Sequence, residues 1–298
     1  MPTTGNIPVG AVIPSVGPAW SPPPNRTAYP QQVTRAKPVG VITRGTTNPN
    51  RLRRVDRWLA GPQAWRLRRS AGSPVVVDLG YGASPVTAVE LRDRLRRVRA
   101  DVEVVGVEID PARVAAARSL EGDGLSFRQG GFELPLAGDA LPVLVRAFNV
   151  LRQYPEEDVA GAWRRVVERL APDGLLVDGT CDELGRRSTW VAVDGTGPVS
   201  LTVSLRLADL GQPSDVAERL PKALIHRNIA GERVHDFLAA FDRAWLRAAP
   251  QVSYGARQRY LAAVATLRDE GWPLLDGPAR WRLGEVTVAW DAVAPAPR

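Results

Sequence analysis

An α/β fold with a doubly wound, mostly parallel sheet is predicted by three observations. Apolar runs of strand length alternate with helical stripes from residue 75 to residue 180. The first run, Val75-Val76-Val77, opens into a glycine turn, Asp78-Leu79-Gly80-Tyr81-Gly82-Ala83-Ser84-Pro85. The second run, Val102 to Val107, ends on a carboxylate, Glu108. A strand, a tight glycine turn, a helix and a second strand ending in an acid form a nucleotide-binding βαβ unit.

Each element follows from its local pattern. Leu52, Val55 and Leu59 fall at helical spacing with Trp58 beside them, which predicts a helix docked on the sheet before the first strand. Ala88, Leu91, Leu95 and Val98 stripe the first crossover helix, with Ser84 as its N-cap and Pro85 at its first position. Asp110-Pro111 caps a second helix running through Ala115 to Leu120. Strands are expected over Leu125 to Gln129, Leu141 to Asn149 and Leu175 to Thr180. Val159, Trp163, Val166 and Leu170 stripe the helix before the last of these, and Gly174 ends it. Thr189 to Val193 and Val199 to Leu205 flank Asp194-Gly195-Thr196-Gly197-Pro198, which predicts a hairpin. Residues 214–270 read as helical, and Glu285 to Trp290 alternates as a final strand.

The turn also discriminates between ligands. In the dinucleotide pattern G-x-G-x-x-G/A the third small residue packs helix on strand, and here that position is Pro85. Asp78 would repel a pyrophosphate but accept from an ammonium group. Glycine at 80 and 82 lets the backbone pass close to a ligand, and Glu108 is placed to accept from both hydroxyls of a ribose.

In these residues the chain resembles the class I S-adenosylmethionine-dependent methyltransferases. Val75 to Ser84 is similar to their first motif, with Ser84 for its third glycine, and Gly106-Val107-Glu108-Ile109-Asp110 to their second. Leu144 to Leu151 and Arg169-Leu170-Ala171-Pro172-Asp173-Gly174-Leu175-Leu176-Val177 match the later strands, so the resemblance covers roughly residues 70–182. It implies a Rossmann-like sheet with an antiparallel C-terminal strand pair, here followed by a helical C-terminal extension over residues 183–298. It implies S-adenosyl-L-methionine as cofactor, held by Asp78, Gly80, Gly82, Glu108, Gly131, Phe132 and Asn149. Where the family often has Gly-Asp to meet adenine, this chain reads Gly130-Gly131-Phe132-Glu133, and Phe132 is the candidate to stack on the base.

Methyl transfer is an in-line displacement at a carbon activated by sulfonium, so alignment and, for a protonated nucleophile, a base are what the protein supplies. Asp182 and Glu183 are the candidate bases, with Tyr154 behind them; the alternative for the two acids is a turn cap. Arg152 is placed to hold an anionic substrate or to pair with Glu156 or Glu157. Arg44, Asn48 and Arg51 form either a cap over the site or a loop with solvated arginines. Asn149-Val150-Leu151-Arg152 replaces the Asn/Asp-Pro-Pro-aromatic signature of amino-methylating DNA enzymes, which argues against DNA as substrate.

Composition narrows the rest. The net charge of +7 arises in residues 1–55, which hold seven basic residues and no acid; from Asp56 onward the charges cancel. A neutral body favours a small-molecule acceptor over RNA, which would use the basic arm. The other readings are a non-catalytic cofactor- or RNA-binding module and a nicotinamide oxidoreductase, the latter opposed by Pro85 and Asp78. Residues 1–43, rich in proline, read as a disordered arm preceding one domain over 44–298. A single cysteine, Cys181, excludes an internal disulfide, and His226 and His235 make no metal site. No apolar run reaches the ~20 residues of a membrane span, and no secretory signal is evident, so a cytoplasmic setting is expected. Oligomeric state has no signature in the sequence.

Overall fold

The computed structural model describes residues 38–42 and 47–296. Arg44 and residues 1–37 of the arm lie outside these described residues. One sheet of eight strands organises the chain: β1 (Val75–Leu79), β2 (Glu103–Glu108), β3 (Leu125–Gln129), β4 (Leu144–Phe148), β5 (Leu175–Cys181), β6 (Arg187–Asp194), β7 (Gly197–Leu205) and β8 (Glu285–Ala289). Their order is β3-β2-β1-β4-β5-β6-β7-β8. The first five are parallel, and the order reverses between β1 and β4, the switch point where open α/β sheets bind ligands. Among the described residues nine α-helices pack around the sheet: α1 (Arg53–Ala60), α2 (Ala64–Arg69), α3 (Val86–Arg96), α4 (Pro111–Ala117), α5 (Val159–Val167), α6 (Lys222–Ile225), α7 (Arg233–Arg247), α8 (Ala256–Asp269) and α9 (Pro278–Trp281).

The predicted doubly wound sheet is observed, with one correction. The antiparallel part is a run of three strands rather than a pair, because β8 adds to the free edge of β7. The helical extension is thus an insertion between β7 and β8. The N-cap moves by one residue: α3 starts at Val86 with Pro85 at the cap, and Ser84 Oγ lies 3.5 Å from the Val86 amide. Asp110 caps α4 as expected, accepting from the Ala112 amide at 2.8 Å.

Strand alternation sorts the core into two layers. Val77, Leu79, Val105, Val145, Val191 and Val203 face α5, α7 and α8, whereas Val76, Val104, Leu144, Val177 and Trp190 face α1, α3 and α4. Several charged strand residues are buried within these layers, and two of them lie at the centre of the sheet.

The first is Arg146, in the centre of β4. Its Nε donates to Asp78 Oδ1 at 3.0 Å, its Nη2 lies 2.7 Å from Asp78 Oδ2, and its Nη1 pairs with Asp56 of α1. Arg94 of α3 closes on the other oxygen of Asp56, and Thr87 donates to Asp78 at 2.9 Å. Burial alone would pull the Arg146 guanidinium down, but Asp56 and Asp78 outweigh it and hold it above its ordinary range. Asp78 is therefore a structural counter-ion on the α1 and α3 side, and the expectation that it meets a ligand ammonium is corrected. Arg146→Met would leave two buried carboxylates without their shared cation, so a loss of about 3–5 kcal/mol is expected in urea unfolding.

The second is Asp178, in β5. Burial pushes its carboxyl up to about 7, against the opposing effect of the Trp163 indole N–H, which donates to it at 3.0 Å. The folded chain keeps this proton to higher pH than the unfolded chain, whose ordinary value is 3.8. Its contribution to stability is thus full below that value and is lost as pH rises through about 7. Unfolding measured from pH 4 to pH 8 should show that decline, and Asp178→Asn should flatten it.

Candidate nucleoside cleft and acceptor edge

The turn after β1 is held in shape by glycine. Gly80 and Gly82 both have left-handed backbone, with φ of 69° and 80°. Gly80 donates to the Val107 carbonyl at 2.7 Å, and Gly82 donates to Glu108 Oε2 at 2.9 Å. Glu108 Oε1 accepts from the amides of Ile109 at 3.0 Å and Asp110 at 3.3 Å. The carboxylate at the end of β2 is thus fixed in place by backbone donors before any ligand arrives.

It faces a narrow cleft across the carboxyl ends of β1 and β2, walled by Leu79, Gly80, Glu108, Ile109, Gly130, Gly131, Phe132, Val150 and Tyr154. Phe132 is buried and meets Tyr154 edge-on, with ring centroids 5.5 Å apart. The structure therefore brings Gly80, Glu108, Gly131 and Phe132 to one place.

The outer wall is a segment that the sequence places in the disordered arm. Val39 and Val41 line the cleft. Val39 donates to Glu133 Oε2 at 2.9 Å and its carbonyl accepts from Phe132 at 3.1 Å. Val41 donates to the Tyr154 hydroxyl, and its carbonyl accepts from Gln153 at 3.0 Å. Glycine at 131 is needed for this approach, since a Cβ there would sit 2.0 Å from the Val39 carbonyl oxygen. The boundary of the arm at residue 43 is corrected accordingly: residues 38–42 are a strap across the cleft. Glu133 lies in a stretch without helical or strand periodicity, so only its place beside Gly131 and Phe132 marks it.

The remaining candidates lie elsewhere along the same sheet edge. Asn149 has left-handed backbone, φ 60°, and its side chain accepts from the Cys181 amide at 3.1 Å, tying β4 to β5. Asp182 accepts from the amides of Leu184, Arg186 and Arg187, at 3.2, 2.8 and 3.1 Å, so it caps the turn into β6. With both oxygens accepting from backbone amides, Asp182 takes the turn-cap role rather than that of a base. Glu183 is exposed on that turn, and its carbonyl accepts from Asn48 at 3.1 Å. Arg51 donates to the Asp182 carbonyl at 3.0 Å, so Asn48 and Arg51 pin the chain before α1 to the exit of β5. Arg152 pairs with neither Glu156 nor Glu157; it donates to the Glu218 carbonyl at 2.8 Å. No group of residues suited to a metal occurs among the described residues, and none of their helices is long and apolar enough to cross a membrane.

The strand order, with its switch between β1 and β4, defines a doubly wound, Rossmann-like α/β sheet extended by three antiparallel strands. No family model matches the chain, and no curated protein matches it. Solved structures similar to it include the CcbJ methyltransferase from Streptomyces caelestis, at 18% identity and TM-score 0.33 over 52% of this chain and 70% of that one. LepI in complex with SAM is 18% identical, TM-score 0.34, over 40% of this chain and 30% of that one. The mitomycin 7-O-methyltransferase MmcR is 18% identical, TM-score 0.30, over 40% and 35%. The likeness at these scores is partial, and the fold assignment rests on the strand order.

Gly131→Ala should expel the strap while leaving the sheet intact. Faster amide exchange at Val39 and Val41, with unchanged thermal unfolding, is the expected outcome.

Proposed function

We propose that this protein is an S-adenosylmethionine-dependent methyltransferase acting on a small molecule. The observation that carries the reading is Glu108, a buried carboxylate held by three amides at the tip of β2 and facing a cleft walled by Gly80 and Phe132. A nucleoside fits this arrangement. Its ribose hydroxyls would donate to Glu108, and its base would lie between Ile109 and Phe132 beneath the strap. The cofactor, when bound, supplies a methyl group on a sulfonium and needs no metal.

A dinucleotide fits less well, for a reason different from the charge of Asp78, which Arg146 neutralises. A pyrophosphate sits on free amides at the start of the first helix. Here Pro85 has no amide hydrogen, and the Val86 amide points toward Ser84 Oγ. The turn offers little to phosphate and nothing that would repel an ammonium group.

The chain's residues would align the reaction rather than perform it. The strap and Phe132 exclude water from the nucleoside end, and the pinned 47–51 segment closes the edge beside β5. The neutral sum of charges from Asp56 onward favours a small acceptor over a nucleic acid.

Three measurements test this. Calorimetric titration should show saturable binding of S-adenosylhomocysteine and none of NAD; the reverse would overturn the proposal. Glu108→Gln preserves the shape of the side chain but removes its charge, and should cost about 1.5–3 kcal/mol of S-adenosylhomocysteine affinity. Deleting residues 1–43 removes two valines from the wall, so affinity should fall about tenfold, as expected for roughly 1–2 kcal/mol of lost apolar contact. Unchanged affinity in that truncation would mean the strap is not part of the site.

A further inference from the structure

Three guanidinium groups meet where the exits of β4 and β5 approach the turn over Pro213–Arg219. Arg152 lies in the short 3-10 turn Leu151–Gln153 directly after β4, flanked by Val150 and Tyr154 of the cleft wall. Leu151 is buried in the core and Gln153 reaches back to the strap, leaving Arg152 directed at the 213–219 turn. Arg219 is locked there through its backbone: its carbonyl accepts from the hydroxyls of Thr180 in β5 and Thr189 in β6. Arg187 opens β6 beside them.

These cations are short of anions. Arg187 Nη1 lies 3.4 Å from Glu218 Oε1 and its Nη2 lies 4.0 Å from Asp215. Arg219 Nε is 3.6 Å from the same Glu218 oxygen, and this buried atom has no hydrogen-bond partner among the described residues. No carboxylate among the described residues lies within 4.0 Å of Arg152, whose contact at Glu218 is with the backbone carbonyl. Glu218 itself is 58% exposed. Burial and the neighbouring Arg219 charge both pull Arg152 below its usual range. Glu218 thus serves both Arg187 and Arg219 loosely, Asp215 stands only at the limit of pairing with Arg187, and Arg152 has no carboxylate beside it. Guanidiniums so arranged match the bidentate geometry of a carboxylate or phosphate.

The place fits an acceptor. The nucleoside cleft lies across β1 and β2, and Arg152 and Arg219 lie along the same edge toward β5, next to the cleft wall. We infer that the methyl acceptor carries an oxyanion, bound between Arg152 and Arg219 in place of the exposed Glu218 side chain. This rests on the methyltransferase reading and narrows its substrate class to anionic small molecules.

The test uses the full chain saturated with S-adenosylhomocysteine and titrated at low ionic strength with benzoate and, separately, with inorganic phosphate. Saturable binding of at least one anion is expected. Benzoate alone would mark a carboxylate acceptor, phosphate alone a phosphorylated one. Arg152→Met with Arg219→Met should weaken that binding at least tenfold with S-adenosylhomocysteine affinity unchanged. The fold survives these changes because the Arg219 carbonyl that holds the turn is retained. Glu218→Gln should tighten anion binding several-fold by removing the competitor. Binding of neither anion, or binding that persists in the double variant, would overturn the inference. Loss of S-adenosylhomocysteine binding by the unaltered protein would instead overturn the cofactor reading, and anion titration of the free protein would still report on the arginines.

Discussion

The site depends on a charge buried in the middle of the sheet. Arg146 has no exposure to solvent, and it holds two carboxylates from different parts of the chain, Asp56 of α1 and Asp78 at the end of β1. An unpaired guanidinium there would be prohibitive, so the three groups must assemble together. Their assembly sets the position of α1 against β1 and β4, and Arg94 extends the link to α3. Through Arg94 the network reaches Asn50, which donates its backbone amide to Glu90 at 2.7 Å. The segment before α1 is thereby carried to the carboxyl edge, where Asn48 and Arg51 bind the exit of β5. A buried ion triad of this kind adds little net stability compared with apolar packing. What it adds here is a fixed orientation for the elements that wall the site.

That network also reassigns the acid of the glycine motif. The residue that precedes Gly80 carries a charge, but the charge is consumed within the protein. The carboxylate that lines the cleft is Glu108, one strand over. The two acids behave differently because of what surrounds them. Asp78 faces a cation across the sheet, while Glu108 is solvated by peptide amides and points at a cleft. Glu108 also lies 3.7 Å from the Arg113 guanidinium, so its charge is shared with that cation while its side chain lines the cleft.

The alternation of strand and helix was readable because the central parallel strands are mostly apolar on both faces and the helices between them carry apolar stripes. β3 and the start of α4 fall where their patterns put them. The antiparallel region was harder. A final strand at Glu285 to Trp290 was visible by alternation, yet its partner was not, because pairing between strands 80 residues apart leaves no local mark. The cofactor glycines and Glu108 were readable from their order along the chain. The roles of Asp78 and Asp182 were not, since both depend on which donors the fold brings to them. Arg146 did carry a signal: a charge inside Leu144-Val145-Arg146-Ala147-Phe148 is out of place in a buried strand unless a carboxylate meets it, and Asp56 breaks the stripe of its helix in the same way. The strap was hidden because proline-rich sequence without periodicity reads as disorder, although backbone hydrogen bonds alone are enough to seat it.

The sum of charges conceals how they are placed along the edge. From Asp56 onward the chain is formally neutral, yet the nucleoside end presents a carboxylate and the end toward β5 presents Arg152, Arg187 and Arg219. Such a polarity suits a cofactor with a cationic sulfonium between a ribose and an acceptor. A negative acceptor held at the arginine end would approach the positive sulfonium down the potential rather than against it. Under the proposed function, transfer of the methyl group would leave the cofactor's sulfur uncharged, and the attraction between the two products would fall as they separate. On this view the protein contributes little to bond-making itself. Under the proposed function its part would be to hold opposite charges along one sheet edge, Glu108 at the end of β2 and the arginines toward β5, and so to orient the two partners.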